Sequence, residues 1–272
     1  MDDFFETPQK TENTSHDSAP IFLSKKPSEN RAHTLRASSL YKSFGKKHVV
    51  KGVDFIVNTG EVLGLLGPNG SGKTTSFYMV IGFHKPTRGE IFLDEKRLTH
   101  LPMYKRAQMG ISYLPQEPSV FRKLTVEENI WAILERRKDL TKAQKKSMLE
   151  ELIEEFSIVK IRRQFAYTLS GGERRRTEIA RSLAIDPKFL LLDEPFAGID
   201  PIAVADLKKM ISILKNRGIG ILITDHNVRD TLEITDRAII INNGEIITQG
   251  SREEILRDEK ARDFYLGTDF SM

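Results

Sequence analysis

The sequence predicts an α/β fold with a mixed sheet at its core, an antiparallel β subdomain and an inserted α-helical subdomain. Three features point there. First, short apolar runs, "FLLL" at 189–192, "GIGILIT" at 218–224 and "RAIII" at 237–241, alternate with helix-like segments. That is the pattern of parallel strands buried on both faces. Second, "TLRASSLYKSF" and "HVVKGVDFIVN" read as strands joined by a turn at Gly45-Lys46, the start of an antiparallel piece. Third, about 115 to 168 the pattern is helical, between two strand-rich parts.

The elements follow in order. "EVLGLL" is a doubly buried strand, "TTSFYMVIGF" a helix, and "GEIFLDEKRL" two strands around a turn at Asp94-Glu95. Thr125 and Glu128 have capping-box spacing at the start of one helix. A second begins near Thr141 and places Met148, Leu149, Leu152, Ile153 and Phe156 on one face. Asn243-Gly244 turns a hairpin into "EIITQG", and Ser251 with Glu254 opens a last helix. Residues 1–33, polar and with little periodicity, read as a disordered extension; 34–250 form the main domain, and 251–272 a C-terminal helix and tail.

The totals narrow the function classes. The 272 residues suit one large α/β domain or two small ones. Without cysteine there is no disulfide or thiolate metal site. No apolar run approaches the roughly 20 residues of a membrane span, and the N-terminus lacks a signal pattern. The net charge of +4 is spread along the chain rather than massed, so no nucleic-acid partner is expected.

The chemistry sits in the stretches between these elements. "GPNGSGKTT" fits G-x-x-x-x-G-K-[ST], with Gly67, Gly72, Lys73 and Thr74 at the fixed positions and Pro68, Asn69, Gly70, Ser71 and Thr75 completing the loop. Its glycines let backbone N–H groups curl around a phosphate chain, and the helix behind adds a favourable dipole. Lys73 suits the β- and γ-phosphates of a nucleoside triphosphate, and the Thr74 hydroxyl suits Mg²⁺. "FLLLDEP" ends a strand in two carboxylates: Asp193 is placed to hold Mg²⁺, Glu194 to orient or deprotonate the attacking water. In "LSGGE", Ser170 and Glu173 form a capping box, while Gly171 and Gly172 leave N–H groups bare as a second anion-binding surface. Two chains set head to tail have a use for such a surface, each closing the other's site.

Together "GPNGSGKT", "LSGGE", "LLLDEP" and "ITDHN", in this order and spacing over about 34–250, resemble the nucleotide-binding domain of ABC transporters, a P-loop NTPase fold of the ABC type. The resemblance implies further roles. Phe44 matches the aromatic that stacks on adenine, where many members have Tyr. Gln116 matches the glutamine that senses Mg²⁺ and the γ-phosphate. Asp200 matches the D-loop aspartate of the dimer interface, and His226 the switch histidine. It also implies a homodimer in the ATP-bound state, at the cytoplasmic face of the inner membrane, driving separate permease subunits. Their coupling helix would dock near Phe121, Arg122 and Leu124, in a cluster that also includes Val120.

"ERRRTEIARSLA", "PFAGIDP", "QEPSVFRKLTVEENI" and the tail "FYLGTDF" depart from the commonest family pattern. They resemble its lipopolysaccharide-export branch. ATPases of branched-chain amino-acid transporters are the nearest confusable relatives, and the iron–sulfur-assembly type is the reading outside transport.

Overall fold

The computed structural model describes residues 32–261. The expected disordered segment up to residue 31 and the tail from 262 lie outside the described residues. In chain order the elements are β1 (Thr34–Phe44), β2 (Lys47–Asn58), β3 (Val62–Leu66), α1 (Lys73–Ile81), β4 (Arg88–Leu93), β5 (Lys96–Arg97), α2 (Met103–Gln108) and β6 (Ile111–Leu114). The helices α3 (Val126–Leu134), α4 (Lys142–Glu155) and α5 (Gly171–Leu183) follow. Then come β7 (Phe189–Asp193), α6 (Pro201–Asn216), β8 (Gly220–Thr224), α7 (Val228–Ile234), β9 (Arg237–Asn242), β10 (Glu245–Gly250), α8 (Arg252–Arg257) and α9 (Glu259–Ala261). No described helix is long and apolar enough to cross a membrane.

The strands form two sheets, an antiparallel one ordered β2-β1-β4-β5 and a mixed one ordered β10-β9-β3-β8-β7-β6. In the second, β9, β3, β8, β7 and β6 run parallel and β10 closes the edge antiparallel. Every residue of β3, β7 and β8 is buried. Their period of two sends alternate side chains to opposite faces. Val62, Leu190, Leu192, Ile221 and Ile223 join one core cluster with the apolar faces of α3, α4, α5 and α6. Leu63, Leu65, Leu191 and Leu222 join the other, with β1, β2, β4 and the apolar face of α1.

Capping decides where several helices start. Thr125/Glu128, Ser170/Glu173 and Ser251/Glu254 form complete capping boxes at the expected places. Thr141 does the same with Gln144. Helix α1 stops at Ile81 rather than at 83 because Gly82 adopts a left-handed conformation, φ 101°, as its C-cap. The hairpin at Asn243-Gly244 has both residues at positive φ, 48° and 84°, as its turn type requires. Just before β1, His33 exchanges backbone and side-chain hydrogen bonds with Thr59 at 3.0 Å, and its ring meets Asp94 at 2.7 Å.

Helix α2 and strand β6 have no counterpart among the sequence-based expectations. Helix α2 carries Arg106, 2% exposed, whose guanidinium donates to Met79 O (2.8 Å), Val80 O (2.6 Å), Leu101 O (2.9 Å) and Thr99 O (3.2 Å). Met79 and Val80 lie in the last turn of α1, so a buried cation satisfies carbonyls that the helix end leaves orphaned. Burial pushes the Arg106 pKa down to about 10. Arg106→Met keeps the packing length and removes every donor. Each buried acceptor left unpaired costs roughly 1–3 kcal/mol, so the variant should lose about 3 kcal/mol or more in urea unfolding. A loss below about 1 kcal/mol would show that water replaces the guanidinium.

Candidate functional site

The phosphate loop runs from Gly67 to Gly72 between β3 and α1, and residues 73–75 form the first turn of α1. Parallel pairing of β3 with β9 sets Leu66 beside Ile240. The next residue, Gly67 (φ 146°), therefore passes so close to Ile241 that a Cβ would stand 2.0 Å from its carbonyl oxygen. Gly72 (φ 105°) is pressed on β2, with a virtual Cβ 2.7 Å from Val49 O. Gly70 (φ 78°) faces open space, so its glycine serves backbone conformation alone. The hairpin at 243–244 supports the loop from behind, Gly244 N–H donating to Ser71 O at 2.8 Å.

This loop has unfilled hydrogen-bonding capacity. Gly72 is the N-cap of α1 and no side chain caps that end. The Ser71 hydroxyl is buried and has no partner among the described residues. Lys73, 3% exposed, folds back to donate to Gly67 O (2.6 Å) and Pro68 O (3.0 Å). Burial lowers its pKa, opposed by the charges of Glu194, Asp225 and Asp193. Bare N–H groups, an orphaned hydroxyl and a sequestered ammonium suit a polyphosphate.

Asp193 ends β7 directly beside Thr224 of β8. The Thr224 hydroxyl donates to Asp193 Oδ1 at 2.8 Å, and Thr224 O accepts from Glu194 N–H at 2.7 Å. Burial raises the Asp193 pKa, with Thr224, Tyr78 and Lys73 working against it. Glu194 sits at φ 42°, a strained position for a residue with a side chain. Its Oε2 meets Gln116 Nε2 at 3.3 Å and His226 Nδ1 at 3.4 Å. Thus Gln116, Glu194 and His226, far apart in sequence, meet at one carboxylate.

Asp225, missed by sequence reasoning, anchors this cluster. It is fully buried and accepts from Phe196 N–H at 3.1 Å and Asn227 N–H at 2.7 Å. It thereby ties the segment after Glu194 to the segment of His226. Burial pushes its pKa up. The signal available was its acid next to His226 at the end of an apolar strand.

Other expected residues lie elsewhere. Phe44, 47% exposed at the end of β1, packs edge-on against His84 at 5.4 Å, with Lys42 Nζ 4.9 Å from its centroid. Gly171 and Gly172 open on a cleft of about 180 Å³ shared with Gln116, Glu194 and Asp200, which no residue of 67–75 lines. Asp200 caps α6, accepting from Ile202 and Ala203 N–H at 3.0 Å each. Thr74 and Thr75 are half-buried in the first turn of α1.

Residues 120–124 divide. Val120 is a core residue, 8% exposed, and leaves the expected surface cluster because it packs among the helices. Phe121 is 44% exposed under the Arg181 guanidinium at 4.8 Å, Arg122 is exposed and Leu124 half-buried. The fully buried Asn129 shapes the segment, accepting from Phe121 N–H at 2.8 Å and donating to Phe121 O at 3.1 Å and Thr125 O at 2.9 Å. Exposed Phe165 and Tyr167, stacked at 5.7 Å, border it through Tyr167 N–H to Arg122 O at 3.2 Å.

A magnesium ion fits this donor set. Asp193 carboxylate, Thr74 hydroxyl and Gln116 amide are hard oxygen ligands, the kind Mg²⁺ takes alongside phosphates. Among the described residues no group of three acidic, His or Cys side chains forms a metal cage by itself.

Comparison with known proteins agrees with this architecture. The family model for ABC transporters matches residues 50–197. The lipopolysaccharide export system ATP-binding protein LptB of Haemophilus influenzae is 55% identical over 238 residues, spanning 88% of this chain and 99% of that protein. LptB of Escherichia coli K12 is 51% identical over 239 residues, with 88% and 99% covered. A solved ATP-binding cassette of an ABC transporter in its ADP conformation superposes with a TM-score of 0.76 at 30% identity, covering 86% of this chain and 99% of that one. A chain that carries these motifs on this fold, at such identity to nearly whole members, belongs to the ABC transporters as their ATP-binding domain.

Proposed function

We propose that this chain hydrolyses ATP at the cytoplasmic face of the inner membrane to power lipopolysaccharide export through separate membrane subunits. The observation that carries the hydrolytic reading is the convergence of Gln116, Glu194 and His226 beside Lys73 and Asp193. The cargo reading is supported by the 51–55% identity to proteins named for lipopolysaccharide export, favoured over amino-acid import or iron–sulfur assembly.

In this reading Gly67, Pro68, Asn69, Gly70, Ser71, Gly72 and Lys73 cradle the phosphates, and Phe44 stacks on adenine. The nucleotide's γ-phosphate displaces the carbonyls that Lys73 now holds. Asp193, Thr74 and Gln116 would hold Mg²⁺, which when bound would supply charge neutralisation at the phosphates. Glu194 orients and deprotonates the attacking water. Its carboxylate is aimed by a backbone N–H bonded to Thr224 O and by the neighbouring Gln116 and His226. His226 contacts the γ-phosphate, with Asp225 beside it at 3.6 Å. Ser170, Gly171, Gly172, Glu173 and Asp200 complete the site of a second copy in an ATP-bound homodimer. Phe121, Arg122 and Leu124 receive a short helix of the membrane subunit.

Three variants separate these roles. Glu194→Gln keeps size and hydrogen bonding but removes the base, so it should bind ATP, accumulate as a dimer and lose at least about a hundredfold in turnover. Wild-type turnover would refute the assignment. Ser170→Arg should block ATP-dependent dimerisation in analytical ultracentrifugation while monomer nucleotide affinity stays within a factor of about two. Dimers forming as in Glu194→Gln would count against the composite site. Phe121→Ala removes an exposed ring, so the purified chain should melt within a degree or two of wild type while co-purification of membrane subunits is lost. Normal co-purification would remove Phe121 from the docking surface.

A further inference from the structure

Three side chains along one face of α5, at positions 175, 178 and 181, hold the loop between β6 and α3. Arg175 donates to Pro115 O at 3.1 Å. Glu178, 2% exposed, accepts from Ser119 N–H at 2.6 Å and from the Ser119 hydroxyl at 3.4 Å. Arg181 donates to Ser119 O and Oγ, both at 2.8 Å. Arg175 and Glu178 also meet, at 3.4 Å. Gln116 lies between the first anchor and the second. The N-terminal turn of the same helix begins at Ser170 and contains Gly171, Gly172 and Glu173.

A buried carboxylate is costly to desolvate, and apolar side chains would hold two segments together at least as firmly. What the carboxylate adds is direction. A short charge-assisted bond to one particular N–H fixes how the loop sits along the helix and opposes sliding. Leu114 pairs with Leu192 in the sheet, so the loop is held at its start by the core and further along by α5. Gln116, suspended between, reaches Glu194 at 3.3 Å.

We propose that Glu178 is a positioning residue: it binds the Gln116 loop to α5 as one rigid unit, so that Gln116 engages Glu194 only when α5 is correctly placed. This rests on the reading of Gln116 and Glu194 given above. Engagement of a second copy at Ser170–Gly172 moves α5, and the clasp carries that movement to the hydrolytic carboxylate of the same chain. The two-state element is the joined helix and loop, biased from both ends.

The test uses the full chain. Glu178→Ala and Glu178→Asp are compared with wild type for steady-state ATPase and thermal unfolding. In a Glu194→Gln background they are compared for hydrogen exchange with and without Mg-ATP. Glu178→Asp keeps the charge by Arg175 but falls short of Ser119 by one methylene, which preserves the test if the alanine variant does not fold. In either variant kcat should fall about tenfold, as for a small misplacement of a catalytic group, with KM for ATP changed less than about twofold. Mg-ATP should still protect 115–121 and 171–176 in the unmodified background, but in the variants the two regions should respond separately. An unchanged kcat overturns the proposal, as does a joint exchange response that survives the substitution. A kcat loss that vanishes on cooling below the melting transition also overturns it, since that marks a stability role. Gln116→Ala with full turnover would instead sink the underlying site reading, so the two failures are distinguishable.

Discussion

The register of four parallel strands sets everything else. Leu65 of β3 and Asp193 of β7 both stand beside Thr224 of β8, and Leu114 of β6 stands beside Leu192. The C-terminal ends of β3, β8, β7 and β6 are therefore level. The phosphate loop, Asp225 with His226, Glu194, and the Gln116 loop all leave the sheet at one edge. Ligands of open α/β sheets bind there because that is where the loops converge on helix N-termini. A slip of one residue would turn Asp193 away from Thr224 and exchange the two core clusters that alternate along each strand.

That edge carries strain in specific places. Glu194 at φ 42° costs of order 1–3 kcal/mol for a residue with a side chain. It is held there by one backbone bond to Thr224 O at 2.7 Å and by the buried Asp225, which fixes Phe196 two residues on. The gain is aim. The turn throws the carboxylate out of the β7 line, where an amide from one loop and an imidazole from another reach it. The same logic explains the loop glycines: at Gly67 the obstacle is the Ile241 carbonyl, so what excludes a side chain is a neighbouring strand.

Local signals were legible in the sequence where short range decides the outcome. The capping boxes at Thr125, Ser170 and Ser251, the turn at Asn243-Gly244 and the apolar strands are each readable within a few residues. Strand order and convergence at Glu194 became legible only through the motif order, which carries long-range information no periodicity holds. Arg106, Asn129 and Glu178 were not legible at all. Each is a polar side chain buried to satisfy backbone groups of a different segment, and such partners are set by tertiary contact. Val120 failed for the opposite reason: next to Phe121 and Arg122 it looks like part of a surface cluster, but only the placement of α3 and α5 decides which of the adjacent side chains turns inward.

Two residues of the proposed dimer face have a structural role that can be read directly. Asp200 uses one carboxylate oxygen to cap α6 with two N–H bonds, and its other oxygen is not occupied by them. Glu173 completes the capping box of α5 with the backbone N–H and hydroxyl of Ser170, at 2.9 and 2.7 Å. That bond draws its pKa down and fixes the loop at 170–173 before any nucleotide arrives. Preorganisation of this kind lowers the ordering cost of binding. Gly171 and Gly172 border an open cleft at a helix start already built, so an anion bound there would meet a formed surface. Lys73 is arranged differently, its ammonium already held by the carbonyls of Gly67 and Pro68. The helix start at 170–173 is fixed by its own capping bonds while Lys73 is sequestered on two carbonyls, so a phosphate bound at the loop after β3 would have to rearrange that loop, whereas one bound at Gly171 and Gly172 would not.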